Sequence, residues 1–200
     1  MLDAHIVAVA VLLPDLDHHA IADAVARLRG GGLVAYPTEG VWGLGCDPFD
    51  QAAVLRLLAL KQRPVDKGLI LVAADAAQLD GLVHWQALPQ ARRDAVHASW
   101  PGPNTWVVPA TARVPAWISG GRDRVAVRVS AHPLVAALCA AFGGALVSTS
   151  ANVSTDPAPQ SRAALDPRIV AGVDAIAPGE TSGLSQPTTI RDAFDGRVLR

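Results

Sequence analysis

Residues 61–72 read Lys61-Gln62-Arg63-Pro64-Val65-Asp66-Lys67-Gly68-Leu69-Ile70-Leu71-Val72, and their reading decides the fold. Upstream, Val54, Leu57 and Leu58, with Leu55 beside them, recur at helical spacing. Asp47-Pro48-Phe49-Asp50 supplies an N-cap and a proline for the start of that helix. Pro64 forces the chain out of helix. The apolar run Gly68–Val72 then has the length and composition of a buried strand. Lys61 and Lys67 therefore flank a helix-to-strand turn close to a sheet end, the pattern of an α/β protein.

The charges on this turn are unusual for the chain. Of 17 Lys plus Arg, 15 are Arg, and Lys61 and Lys67 are the two lysines. Two ammonium groups with Arg63 between them suit a phosphate-bearing ligand. They also suit a solvated helix end whose cations offset the C-terminal dipole. On charge alone both readings stand.

Working upstream, Ile21, Val25 and Leu28 predict a helix over 18–29, stopped by Gly30-Gly31-Gly32. Leu33-Val34-Ala35-Tyr36 reads as a short buried strand. It enters Pro37-Thr38-Glu39-Gly40-Val41-Trp42-Gly43-Leu44-Gly45, read as a glycine-punctuated loop at a strand end, where α/β sheets hold ligands. The spacing is neither GxGxxG nor a Walker P-loop. Thr38 and Glu39 either meet a ligand or merely fold the turn.

Working downstream, Asp75 caps a short helix through Leu82, and a further helix covers about 89–98. Trp100-Pro101-Gly102-Pro103-Asn104-Thr105 opens the strand Thr105–Val108. Arg124–Val129 alternates as a strand should and runs into Ser130-Ala131-His132-Pro133, with His132 expected to cap a helix to Phe142. After Gly143-Gly144, the strand Ala145–Val147 delivers Ser148-Thr149-Ser150-Ala151-Asn152. Hydroxyls, an amide and free N–H groups at one strand end form a natural phosphate and ribose cradle, or else a Ser/Thr-rich turn. Thr155–Pro159 is a linker, Ser161 is expected to cap a last helix, and Val173–Ile176 reads as a strand. Asp195-Gly196 predicts a hairpin turn into Arg197–Leu199.

Size and composition set bounds. Two hundred residues, half of them hydrophobic and 18% charged, allow one domain with a substantial core. A net charge of −1 argues against a broad nucleic-acid clamp. Cys46 and Cys139 form no CxxC or Cys/His cluster and read as reduced, buried thiols. No leader pattern opens the chain, and no apolar run reaches about 18 residues. A cytoplasmic protein with no membrane contact is expected. There is no GxSxG, no HExxH, no convincing triad and no carboxylate cluster for a protein-built metal site.

Several motifs fall in one order. Tyr36-Pro37-Thr38-Glu39, Lys61-x-Arg63-Pro64, Gly68-Leu69-Ile70, Pro101-Gly102-Pro103-x-Thr105, Arg128 with His132-Pro133, Thr149-Ser150-Ala151-Asn152, and Pro187-Thr188-Thr189-Ile190 together resemble the YrdC/Sua5 family over about 18–192. Those proteins are threonylcarbamoyl-adenylate synthases, which start the N6-threonylcarbamoyladenosine (t6A) modification of tRNA. The resemblance implies a nucleotidyltransferase that joins L-threonine, bicarbonate and ATP into threonylcarbamoyl-AMP and pyrophosphate. The product would pass to the tRNA threonylcarbamoyl-transferase complex, and Mg²⁺ would be held mainly through the ATP phosphates. As catalytic residues it implies Lys61, Arg63, Ser150 and Asn152. Lys67, Ser148, Arg128 and Thr188 would join them around the nucleotide, and Thr38, Gly40 and Thr105 would meet the amino acid.

Four positions depart from the family pattern. Ser130 stands where Pro is usual, and Ser154-Thr155 replaces the usual Ser-Gly. Gly40 replaces a hydroxyl or Ala, and Val72 takes the place of His. The implied fold is a single YrdC-like α/β domain over 1–200, of the single-domain bacterial branch. It has a twisted mixed parallel and antiparallel sheet, flanking helices and a large concave basic site. The rival from another class is a non-catalytic RNA-binding module of the same fold. A carbamoyl-transfer role in hydrogenase maturation is disfavoured, since such domains sit in larger chains with zinc-finger-like and acylphosphatase segments.

Overall fold

A computed structural model describes residues 17–184 and 187–200. The expectation about a leader falls largely on residues 1–16, outside the described residues. Eight strands form one sheet in the order β7-β1-β2-β6-β3-β5-β4-β8. In chain order the strands are β1 (Val34–Pro37), β2 (Trp42–Gly45), β3 (Ile70–Ala73), β4 (Asn104–Pro109), β5 (Arg124–Val129), β6 (Leu146–Ser150), β7 (Ala175–Ile176) and β8 (Thr189–Asp192). The sheet is mixed: β1/β7, β3/β5 and β4/β8 run parallel, and the other neighbours antiparallel. The helices are α1 (His18–Arg29), α2 (Gln51–Leu60), α3 (Gln90–Ala98), α4 (Ala116–Ser119), α5 (Pro133–Phe142) and α6 (Pro167–Gly172). Among the described residues no helix is long and apolar enough to cross a membrane.

The two-residue period of the strands divides the core. Val34, Tyr36, Val72 and Leu146 pack against α1 and α5 through Ile21, Val25, Leu28, Leu134 and Leu138. Their neighbours Ala35, Leu71, Ala73 and Val147 point the other way, into a larger cluster with Val54, Leu57 and Leu58 of α2. The first of these faces is only partly covered. Register places Ile70 opposite Ser148 and Ala126, and Val107 opposite Ala126, so these residues continue the face of Val72 and Leu146. Ile70, Ser148, Ala126 and Val107 line a cavity instead of packing under a helix. The site is the part of this face that α1 and α5 leave open.

Several local expectations are corrected. Trp42–Gly45 is a strand, not loop, and it makes a hairpin with β1. Its glycines are there for the Tyr36 ring and the neighbouring strand: a Cβ on Gly45 would lie 2.7 Å from a Tyr36 ring carbon and 2.6 Å from the Val147 oxygen. Leu55 is exposed rather than part of the apolar face of α2. Asp50 caps α2, accepting from the Ala53 N–H at 3.0 Å, but Pro48 lies ahead of the cap and does not open the helix.

The other end of α2 closes before Pro64. Gln62 takes φ +50°, its N–H donates to Ala59 O, and the Arg63 N–H donates to Leu58 O. This is a Schellman turn with Gln in the place usually given to Gly. His132 stands at the cap position of α5, yet its side chain does not cap; its Nε2 lies 3.0 Å from Glu180 O. Pro133, with no N–H to satisfy, opens that helix instead. Ser161 precedes only a 3₁₀ turn and makes no side-chain cap, and α6 is capped by Asp166. At the C-terminal end the expected turn forms, with Arg191 bridged to Val198.

Candidate active site

The cavity has a volume of about 680 Å³. Its cationic wall is Arg63, Lys67, Arg122, Arg124, Arg128 and Arg200, with Asp123 as the acid among the lining residues. The polar wall includes Thr38, Ser148, Ser150 and Thr188, and Gly40 contributes to the lining. The structure thus brings most of the sequence-predicted site residues to one place. Lys61, Asn152 and Thr105 are not on that lining.

Lys61 lies behind the wall. Its side chain is 2% exposed, and its Nζ donates to the main-chain oxygens of Ser150 and, at 2.6 Å, Asn152. Burial first, and then the nearby Arg63, push its pKa down to about 8. The Asn152 amide donates to Val153 O and Asp156 O at 2.9 and 2.7 Å, closing the next turn on itself. Thr155 in that turn has φ +78°. It therefore keeps the left-handed conformation that a glycine adopts freely, with a β-branched side chain in its place.

The Schellman turn explains why two cations two residues apart face differently. Lys61 ends the helix pointing inward, the left-handed Gln62 reverses the chain, and Arg63 is delivered to the cavity. Arg63 Nη2 donates to Gly68 O at 3.0 Å, which ties the turn back on itself. Its pKa is lowered by burial and then by the like charge of Arg200. Arg200, itself lowered by burial, reaches the same wall because its carbonyl accepts from the Ile190 N–H of β8.

Along β5 the alternate residues Arg124, Ala126 and Arg128 line the cavity, and the two arginines mark opposite ends. Arg128 is buried, with Nη1 3.3 Å from Glu39 Oε2. Glu39 Oε1 accepts from Ser130 Oγ at 2.8 Å and the Ala131 N–H at 3.0 Å. The serine that departs from the family pattern therefore serves the carboxylate, and its own N–H is bonded to Ala73 O. At this end Thr105 Oγ1 meets Thr188 Oγ1 at 3.1 Å, and Thr38 Oγ1 donates to Val41 O at 2.7 Å, which folds the hairpin turn. The Arg128 end is thus rich in hydroxyls, with its cation already paired.

The other end is cationic in excess. The β3/β5 register pairs Ile70 with Ala126. Extended by two residues, it sets Gly68 level with Arg124, and Arg63 is bonded to Gly68. Arg63, Lys67, Arg122 and Arg124 therefore gather at one end, opposed among the described residues by Asp123 on the lining and by Asp192, which pairs with Arg124. Sequence reasoning missed Arg122, Arg124 and Arg200. Arg124 carried a signal, because its alternation with Arg128 put both on one strand face. For Arg200 there was none. No group of three or more His, Cys, Asp or Glu placed to hold a metal ion occurs among the described residues.

Comparison with known proteins follows the same lines. Residues 26–200 match the Sua5_yciO_yrdC family, described as "Telomere recombination". A threonylcarbamoyl-AMP synthase of Stenotrophomonas maltophilia (strain K279a) is 62% identical over 177 residues, 88% of this chain and 95% of that protein. The crystal structure of P. abyssi Sua5 complexed with L-threonine is 36% identical with a TM-score of 0.79. It covers 86% of this chain, and this chain spans 50% of that one. The crystal structure of E. coli YciO is 26% identical with a TM-score of 0.73, covering 91% of this chain and 88% of that one.

Proposed function

The chain belongs to the Sua5_yciO_yrdC family, and on that premise we propose that it is a threonylcarbamoyl-AMP synthase acting in t6A modification of tRNA. The observation that carries this reading is the polarity of the cavity. An end of hydroxyls and a paired arginine suits a small polar amino acid, and an end with excess cations suits a polyphosphate. The amine of L-threonine takes up bicarbonate as a carbamate, with loss of water. A carbamate oxygen then attacks the α-phosphorus of ATP, the bond to the β-phosphate oxygen breaks, and pyrophosphate leaves with that electron pair. Such a displacement needs positioning and charge neutralisation more than a protein nucleophile.

In this scheme Arg63 and Lys67 neutralise charge growing on the phosphates, and Ser148 and Ser150 orient phosphate and ribose. Lys61 and Asn152 act from behind by fixing the main chain that carries Ser150. Thr38, Gly40 and, through Thr188, Thr105 shape the amino-acid end, where Arg128 accepts a carboxylate or phosphate. Mg²⁺ would arrive on the ATP phosphates; a wall with Asp123 as its acid does not fit a protein-built metal site, and no step is routed through the ion. The nucleotidyltransferase class, a single domain over 1–200, a cytoplasmic setting and hand-over of the product to the tRNA threonylcarbamoyl-transferase complex belong to the same proposal.

The test is pyrophosphate release from ATP with and without L-threonine and bicarbonate. Release that requires both is expected. Release requiring neither, or RNA binding with no ATP-dependent chemistry, overturns the reading.

A further inference from the structure

Arg124 opens β5 at the cationic end of the cavity, outside every motif that the sequence displays. Its guanidinium is gripped from two sides. Nη1 donates to Asp192 Oδ2 at 2.8 Å, and Cζ stands 4.7 Å from the centroid of the Phe194 ring. The grip is itself anchored. Asp192 is 8% exposed, its Oδ1 accepts from the Phe194 N–H at 2.8 Å, and its own N–H donates to Arg197 O. The turn after β8 therefore seats an aromatic face and a carboxylate against one arginine.

A free arginine loses rotamer freedom when it fixes an anion. Arg124 is already held before any ligand arrives. Asp192 engages one nitrogen, and the guanidinium fork carries five donors. The remaining donors belong to a side chain on the wall that Lys67 and Arg122 also line, carried by backbone level with Gly68. Arg128, the other arginine on this strand face, is paired with Glu39 at the hydroxyl-rich end. The two arginines are thus assigned to different parts of the substrates.

Resting on the reaction above, we propose that Arg124 binds the outgoing pyrophosphate, with Asp192 and Phe194 as its positioning residues. The carboxylate aims the fork, so its free donors meet the leaving phosphates already in place.

The test uses the full chain and inorganic pyrophosphate, by calorimetric binding and by product inhibition of ATP turnover. Arg124→Ala weakens pyrophosphate binding about 10-fold or more, and Arg124→Lys weakens it less. Asp192→Asn, which keeps the Oδ1 acceptor for Phe194, weakens it several-fold, and KM for L-threonine stays unchanged in all three. Unaltered pyrophosphate affinity in a folded Arg124→Ala or Arg124→Lys protein overturns the proposal. So does an effect confined to KM for L-threonine. Wild-type protein that binds pyrophosphate through Arg124, yet releases none from ATP, sinks the proposed reaction and leaves the anion site standing. Normal turnover with Arg124-independent binding does the reverse.

Discussion

The Nζ of Lys61 donates to the main-chain oxygen of Asn152 at 2.6 Å and to that of Ser150 as well. A lysine two residues from a cavity arginine thus serves as a strut for the β6 end. Truncation leaves two carbonyls without their donor inside the protein, each costing about 1–3 kcal/mol. Lys61→Met is therefore expected to lose about 2–6 kcal/mol of stability in urea unfolding, together with turnover. A variant as stable as wild type contradicts the strut.

Arg63→Ala separates the two cations. Arg63 lines the cavity and holds one local carbonyl, so its loss should leave unfolding nearly unchanged while turnover falls roughly 10²–10³-fold. Wild-type rates of pyrophosphate release would remove Arg63 from the phosphate site.

Burial gives Lys61 a pH signature. Its folded pKa is about 8 against an ordinary 10.5, so between those values the unfolded chain binds the extra proton. Stability contributed at this site rises as pH climbs from about 8 to 10.5, and below 8 both states carry the charge. Denaturant titrations of wild type and Lys61→Met from pH 7 to 10 should diverge in that sense. Parallel curves would show that Lys61 keeps its solution pKa.

Thr155 holds φ +78°, where a β-branched residue is strained. Thr155→Gly removes about 1–2 kcal/mol of that strain and returns part of it as chain entropy. The net expectation is a gain of up to about 1 kcal/mol, read as a higher Tm. A loss of stability would mean that the threonine side chain supports the turn more than its backbone strains it.

The helices were legible because α1 and α2 bury one stripe each, and periodicity registers a stripe. The order of motifs likewise disclosed the fold class and most of the wall. What escaped were features set by contacts across the chain. Trp42–Gly45 reads as loop because two of its four residues are glycine, and their purpose appears only with the Tyr36 ring and Val147 beside them. Lys61 and Arg63 look equivalent in sequence, and the left-handed Gln62 between them decides which enters the cavity. Arg200 reaches the site through its pairing with β8, a relation that no local pattern encodes.

The Schellman turn at Gln62 also makes the length of α2 a ruler. Asp50 fixes where the helix begins, Gln62 fixes where it stops, and the side-chain directions of Lys61 and Arg63 follow from the count between them. One residue inserted or removed in 51–60 would swing both cations by about 100° about the helix axis. The strut would turn away from β6 and the cavity arginine away from its wall. The spacing of this helix is therefore under the same constraint as the charges it carries, even at exposed positions such as Leu55 that touch neither.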